Sequence, residues 1–217
     1  MTEPKALRID FVSDVSCPWC AVGLASLERA LEALKDDVRA EIHFQPFELN
    51  PQMAPEGEDV GEHIAKKYGM TRAQLAQNQE AIRQRGAAVG FTFANQDTRR
   101  IYNTFDAHRL LHWAEGSGHQ HALKRTLLEA YFTHGEDVGA HEVLVCAAVS
   151  AGLDGDEARA VLASARYAAE VRGQEQFFQR AGIRSVPAII INREHLISGG
   201  QPPEVFEQAL RQLAGRG

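Results

Sequence analysis

Two cysteines, Cys17 and Cys20, lie in the stretch DVSCPWCAVG, where a predicted strand gives way to a predicted helix. The pattern of residues 7–12 favours a short strand that ends at the turn residues Ser13 and Asp14. Pro18 suits the first turn of the helix that follows, because that turn needs no backbone N–H. The leucines that recur at helical spacing after the cysteines are Leu24, Leu27, Leu31 and Leu34. The cysteine pair is therefore predicted to stand at the N-terminus of a helix.

The next segments change from strand to helix. Residues 38–45 alternate strictly between apolar and polar side chains, which predicts a strand with one buried face. From about residue 59 to 165 the pattern is helical, with Asp59 as a cap and a capping box over residues 71–74. One of these helices is expected to contain Ile101 and Phe105 on its apolar side. The glycines expected to end the helices are Gly69, Gly90, Gly116, Gly135 and Gly152.

The last fifty residues return to a mixed pattern. A helix is expected to end at Gly182, followed by strands over residues 188–191 and 195–198 and a helix that begins at Pro202 and Pro203. The order is strand-helix-strand, a helical segment, then helix-strand-strand-helix. This order predicts an α/β fold in which one discontinuous domain, residues 1–57 and 166–217, carries a helical insertion over residues 58–165.

Composition excludes several classes of protein. The chain has 217 residues, 44% of them hydrophobic, which is enough to bury a core. Its net charge of −6 argues against a nucleic-acid partner, because such binding depends on Lys and Arg meeting phosphates. No apolar run is long enough for a membrane span and the N-terminus does not resemble a secretory signal, so we expect a cytoplasmic protein with no membrane partner. The oligomeric state is not predicted.

Three chemistries are open to the cysteine pair: a structural staple, half of a metal site, or a redox centre. A zinc site needs four ligands, and no second Cys-x-x-Cys is present. His108 with His112, and His119 with His121, have no spacing that points to the cysteines, so we predict no metal. Cys146 lies in a strongly apolar segment and is expected to be a buried small side chain.

The redox interpretation assigns different roles to the two thiols. Cys17, at the start of the helix, would be stabilised as a thiolate by backbone N–H groups and the helix dipole, so it is the predicted nucleophile. Cys20, one turn further in, would resolve the mixed disulfide. Val186 and Pro187 precede the predicted strand 188–191, and a cis bond there would leave Val186 backbone groups available to an extended substrate. Pro18, Trp19 and Val186 are therefore predicted substrate contacts.

Together, these residues resemble the thioredoxin superfamily, and within it the DsbA family and its FrnE-like branch. The stretches that resemble that branch are PFELNP, NTFDAHRLLHWA, YFTHGEDVG and SGGQPPEVF. The resemblance implies a thioredoxin fold with an inserted helical domain and thiol–disulfide oxidoreductase or disulfide isomerase activity. It identifies Cys17 as the nucleophile, Cys20 as the resolving thiol and Pro187 as the family's cis-proline. No cofactor is expected beyond the redox-active disulfide, with protein thiols or glutathione as partners.

One feature of the family is missing from its usual position. Many thioredoxin-like proteins carry a buried acid six residues before the first cysteine, and Phe11 stands there in this chain. Asp10 is adjacent, but its side chain would point to the other face of the strand. We therefore assign the proton-accepting role to neither Asp10 nor Asp14, and Glu48 is a weaker candidate.

Two rival functions belong to other classes. Glutathione-dependent enzymes of the 2-hydroxychromene-2-carboxylate isomerase and kappa-class transferase type share the architecture, although they typically have a serine at the position of Cys17. Under that reading, Asn103, Thr104 and His108 would line a cleft that faces Cys17. The other interpretation of these three residues is that they cap and brace the helical insertion. A non-catalytic thiol-bearing chaperone or polyketide-pathway accessory is the third class.

Overall fold

The structure is a computed structural model that describes residues 4–94 and 100–215. Outside the described residues lie 1–3 and 216–217, at the two ends of the predicted discontinuous domain, and 95–99, in the predicted insertion. The chain opens with strand β1 (Lys5–Ser13), helix α1 (Pro18–Ala33) and strand β2 (Val38–Pro46). The predicted strand-helix-strand order is confirmed. Strand β1 begins two residues earlier and ends one residue later than its pattern indicated, and β2 ends one residue later.

The middle of the described chain is mainly helical. Asp59 accepts a hydrogen bond from the Glu62 amide, and Thr71 and Gln74 form the predicted capping box. The sequence did not predict the two-residue strands β3 and β4, which pair antiparallel. In chain order the elements are β3 (Glu58–Asp59), α2 (Val60–Tyr68), α3 (Arg72–Val89), β4 (Arg100–Ile101), α4 (Phe105–Glu115), α5 (Gln120–Glu129), a π-helical turn (Ala130–His134), α6 (His141–Ser150) and α7 (Gly155–Leu162).

Two expectations about this region were wrong. Ile101 lies in β4 rather than in a helix, because the helix begins only at Phe105, after an Asn103 side chain has turned the chain. Cys146 is exposed rather than buried. The segment around it is apolar on all sides, so periodicity could not tell which face of α6 would meet the core, and Leu144 and Val145 are the residues that do.

The last elements complete the main sheet. They are α8 (Ala168–Arg180), β5 (Ala188–Ile191), β6 (His195–Ser198) and α9 (Pro203–Leu213), and both strands match the predicted ranges. The strand order is β2-β1-β5-β6, with β1 parallel to β2 and antiparallel to β5. Phe11, at the centre of β1, pairs with Phe44 on one side and Ile189 on the other. Helices α1 and α9 contact each other, and Phe11 packs in the same core as their apolar side chains.

Helix α5 covers the outer edge of β2. The side chain of Gln120 accepts a hydrogen bond from the Phe44 amide (2.9 Å) and donates one to the Phe44 carbonyl (3.1 Å). An edge strand usually leaves such groups to solvent or to another chain. Gln45, on the face of β2 expected to be solvated, is also buried, because α4, α5 and α8 all contact this strand. Helices from the middle of the chain therefore pack directly beside the sheet that carries the cysteines.

No helix in the described part of the chain is both long enough and apolar enough to cross a membrane.

Candidate active site

The two cysteines of the motif are both buried, but only Cys17 lines a cleft in the described surface. Cys17 is the N-cap residue of α1, its carbonyl accepts the Cys20 amide (3.0 Å), and Pro18 occupies the first turn as predicted. Both thiols are free, with Cys17 4% exposed and Cys20 fully buried. Only Cys17 lies where a second molecule can reach its sulfur.

The loop before β5 faces Cys17 across a short gap. The Cys17 thiol donates a hydrogen bond to the Val186 carbonyl, with 3.7 Å between sulfur and oxygen, and the Val186–Pro187 peptide bond is cis. Close approach of this loop to α1 depends on Gly23, where an added Cβ would lie 3.1 Å from Pro187 Cγ and 3.3 Å from Gly200 Cα. A small residue in α1 therefore positions the loop against the cysteine.

A cleft of about 510 Å³ opens beside Cys17. Trp19, which is 37% exposed, Pro18 and Val186 line it, and their predicted contact with substrate stays a prediction. Its walls are mainly apolar and come from the helical region as well as from the sheet domain. The apolar wall residues outside the cysteine motif include Leu49, Val60, Ile64, Leu75, Ile82 and Ile101. The cleft can therefore accept an apolar group next to a sulfur atom that reacts with Cys17.

Asp14 is a fully buried carboxylate directly before the cysteine helix. Its two oxygens accept hydrogen bonds from the Leu49 amide (2.7 Å) and the Ser16 amide (3.3 Å), and His108 Nε2 lies 3.6 Å away. Burial alone would raise the pKa of Asp14, but His108, the Leu49 amide and the nearby Lys124 together hold that pKa below its ordinary value. Asp14 is therefore kept as an anion inside the core.

Cys20 and Lys124 form the rest of this buried group. Burial, followed by the hydrogen bond and charge of Cys17, raises the pKa of the Cys20 thiol well above its ordinary value, although Lys124 opposes the shift. Burial lowers the pKa of Lys124, and the charges of Cys20, Asp14 and Cys17 oppose that change. Four titratable groups thus lie together behind Cys17. They are Asp14, Cys20, His108 and Lys124.

Other acids near the sheet have different partners. Asp10 pairs with Arg8 (2.7 Å) and accepts a hydrogen bond from Gln45 (2.8 Å). Glu48 pairs with Arg172, which also bonds Glu175 at 2.8 Å. Burial raises the pKa of Glu48 above its ordinary value despite the opposing Arg172 charge.

The described residues that line the Cys17 cleft do not include Asn103, Thr104 or His108. Asn103 accepts the Phe105 amide (3.0 Å) and donates to the Met53 carbonyl, and Thr104 is the buried N-cap residue of α4. His108 is buried and shares a small cavity with Lys124. Their predicted substrate contact stays a prediction, and their contacts in the structure are those of bracing residues.

Lys124 is the site residue that the sequence interpretation missed. A signal was present, because Lys124 falls on the buried stripe of α5 among Gln120, Leu123, Leu127 and Leu128. A lysine on an apolar stripe is either extended to solvent or fully buried, and only the packing of α5 against β2 distinguishes these outcomes.

In the part of the chain that the structure describes, no three His, Cys, Asp or Glu side chains are placed to hold a metal ion.

The four-stranded sheet, the Cys-x-x-Cys at a helix N-terminus and the facing cis-proline loop define a thioredoxin-like thiol oxidoreductase. The chain belongs to the DSBA-like thioredoxin domain family, whose model matches residues 8–211. The crystal structure of a probable DsbA oxidoreductase from Streptomyces coelicolor is 39% identical, with a TM-score of 0.90 over 97% of this chain and 91% of that one.

Two further likenesses extend over nearly the whole chain. The "Uncharacterized protein YwbO" of Bacillus subtilis (strain 168) is 28% identical over 206 residues, which is 94% of this chain and 96% of that protein. A 2-hydroxychromene-2-carboxylate isomerase structure shares the fold, with a TM-score of 0.74 and 14% identity over 97% of this chain and 99% of that one. The expected thioredoxin fold and DsbA family membership are confirmed.

Proposed function

We propose that the protein is a dithiol–disulfide oxidoreductase in which Cys17 exchanges disulfides with substrates and Cys20 resolves the mixed disulfide. The observation that carries the proposal is the contrast between the two thiols: Cys17 faces the cleft and Val186, whereas Cys20 is sealed behind it. An external sulfur can meet only the first. The second can reach only the sulfur of Cys17.

The exchange proceeds in two steps through a mixed disulfide at Cys17. When the protein is oxidised, a substrate thiolate attacks Cys17 Sγ, the Cys17–Cys20 bond breaks, and Cys20 leaves with the electron pair and takes up a proton. A second substrate thiolate then attacks the substrate sulfur of the mixed disulfide and releases Cys17 as a thiolate. Two electrons pass to the protein, and the same steps in reverse reduce a substrate disulfide.

The walls of the cleft favour a polypeptide substrate with apolar side chains beside its cysteine. Glutathione carries two carboxylates and no apolar side chain, whereas apolar side chains form most of the wall. We propose a protein thiol as the main substrate and a cytoplasmic location for the reaction.

Trapping experiments test this function. Cys20→Ser should accumulate a mixed disulfide with an apolar cysteine peptide, and Cys17→Ser should form none and should abolish insulin reduction. Cys146→Ser is the matched control, because that thiol is exposed on α6 and should leave activity unchanged. Full insulin reduction by Cys17→Ser would overturn the proposal.

A second assay separates the rival class. If Cys17→Ser kept a glutathione-dependent isomerase or transferase activity while thiol exchange was lost in every form of the protein, the glutathione-enzyme reading would replace this one. If the protein suppressed aggregation of an unfolded client without exchanging disulfides, and lost that effect when both cysteines were replaced, the thiol-dependent chaperone reading would replace it.

A further inference from the structure

Lys124 has an environment that few lysines occupy. Its side chain is fully buried, and its Nζ makes no hydrogen bond to any residue that the structure describes. A buried ammonium without a partner is costly, so such a lysine either becomes neutral or is stabilised by nearby negative charge. The proposed disulfide exchange does not by itself account for this residue.

The position of Lys124 follows from the attachment of α5 to the sheet. Gln120 bonds the Phe44 backbone, and Lys124 lies one turn further along the same face, with Nζ 5.9 Å from the centre of the Phe44 ring. Phe44 contacts Phe11, which packs under α1 (5.7 Å between ring centres). The helical region therefore delivers a basic group to the rear of the cysteine motif.

The groups that face Lys124 are mostly potential anions. Cys17 and Cys20 from α1 and Asp14 from the preceding turn all favour its protonated form. Across a small cavity, α4 contributes His108 and His112. On the remaining sides of that cavity, β1, β2 and α8 contribute only side chains that do not titrate in the accessible range. These are Ser13, Phe44, Gln45, Pro46 and Gln174.

Asp14 is a poor proton acceptor in this arrangement. Both of its oxygens accept backbone N–H bonds, which favour the carboxylate and lower its pKa. A base must gain a proton during the reaction, and a carboxylate held in this way resists doing so. Its negative charge instead stabilises the ammonium that forms once Lys124 has accepted a proton.

We propose that Lys124 takes up the proton of Cys20 when Cys20 attacks the mixed disulfide at Cys17, a role that rests on the proposed disulfide exchange. The neutral amine becomes an ammonium and Cys20 becomes a thiolate. The Cys17–Cys20 bond forms, the bond from Cys17 to the substrate sulfur breaks, and the substrate leaves as a thiolate with the electron pair. In the opposite direction the ammonium returns the proton to the Cys20 thiolate. Lys124 is thus a proton-handling residue supplied by the helical region.

A two-step thiol release tests the proposal. When reduced Cys146→Ser protein, which lacks the exposed third thiol, reacts with Ellman's reagent, Cys17 releases one thionitrobenzoate and keeps the other as a mixed disulfide, and Cys20 then releases the second. In Lys124→Met the second release should slow by at least about tenfold near neutral pH, because the base is gone, whereas the first should change by less than about threefold. The second rate should then rise about tenfold per pH unit between about pH 6 and pH 8, as expected when hydroxide replaces the base.

The controls distinguish an error about the role of Lys124 from an error about disulfide exchange itself. Lys35→Met, at an exposed lysine paired with Glu32, should leave both phases unchanged. Loss of the first phase in the native protein would refute the disulfide-exchange function itself. Two normal phases in folded Lys124→Met, with the native pH profile, would overturn only the role of Lys124.

Two further measurements keep the proposal falsifiable if Lys124→Met does not fold. Lys124→Gln should show the same slow, hydroxide-dependent second phase, because an amide cannot accept the proton. In the native protein, the ε-carbon NMR titration of the buried lysine should move when Cys20 is oxidised, since the disulfide removes the thiol with which Lys124 exchanges a proton. An identical titration in the reduced and oxidised forms would contradict the proposal.

Discussion

The side chain of Gln120 satisfies both backbone groups of Phe44, so helix α5 occupies the place that a neighbouring strand would otherwise take beside β2. This pairing joins the helical region to the sheet that bears the cysteines. It also sets the distance of α5 from α1, because Phe44 packs on Phe11 in the core under the cysteine helix.

The Gln120–Phe44 pairing should contribute measurably to stability. Gln120→Met removes both bonds and leaves a buried amide and a buried carbonyl unpaired, which should lower the free energy of unfolding by about 2–4 kcal/mol. Chemical denaturation measures the change. Gln77→Met, at an exposed position of α3, is the control and should change stability by less than about 0.5 kcal/mol. A loss for Gln120→Met as small as that of the control would show that water can satisfy the Phe44 groups.

Gly23 should be needed for the close approach of the cis-proline loop. In Gly23→Ala, the new methyl group would meet Pro187 Cγ at 3.1 Å and Gly200 Cα at 3.3 Å, and neither neighbour is the end of a flexible side chain. We expect a loss of about 1–3 kcal/mol of stability and slower disulfide exchange at Cys17.

Gly173→Ala is the matched control for Gly23→Ala. It also lies within a helix, α8, but an added Cβ there meets nothing within 4 Å. Alanine has the better helix propensity, so this variant should gain about 0.5–1 kcal/mol. A gain at Gly23 equal to that at Gly173 would mean that the loop moves away without cost.

Cys20 should make the reduced protein less stable at alkaline pH. The folded pKa of Cys20 is raised by burial and by Cys17, so above about pH 9 the unfolded chain loses the Cys20 proton while the folded protein keeps it. The contribution of Cys20 to stability is fully present below that pH and is lost as the pH rises, by up to about 1.4 kcal/mol per pH unit.

Comparison of the reduced native protein with Cys20→Ala at several pH values isolates this effect. The difference between their free energies of unfolding should be constant below about pH 8 and should shift against the native protein above about pH 9. Cys146→Ala, at the exposed cysteine, should show no such pH-dependent difference from the native protein. A difference for Cys20→Ala that stays constant to pH 10 would refute the raised pKa.

Trp19 should select substrates by the apolar area that they present. Trp19→Ala should raise KM for a cysteine peptide with neighbouring apolar side chains by about tenfold, because the exposed ring forms part of the cleft wall, and should alter the exchange rate with a small hydrophilic thiol much less. Phe177→Ala removes another exposed aromatic ring, outside the lining of the cleft, and should affect neither substrate. Equal effects of Trp19→Ala on both thiols would argue against an apolar substrate site.

Much of the local structure could be predicted from sequence because its causes are local. The cap at Asp59, the capping box at Thr71 and the strand at Ala188–Ile191 depend on neighbouring residues, and each was found where it was expected. Interpretation failed where local signals were ambiguous. Ile101 has the same apolar character in a helix or in a short strand, and Cys146 lies in a segment with no polar face to indicate its orientation.

Local sequence signals were enough to place the four strands of the main sheet, the cysteine motif at the start of α1 and the proline loop before β5, since these follow from spacing, capping and propensity along the chain. Which charged groups meet behind the motif depends instead on how the helices pack against the sheet. Asp14, His108 and Lys124 come from three separate parts of the chain, and their burial together with Cys20 depends on the packing of α4 and α5 against β2. Burial is a property of the assembled core, and it is burial that shifts the pKa values of Lys124 and Cys20.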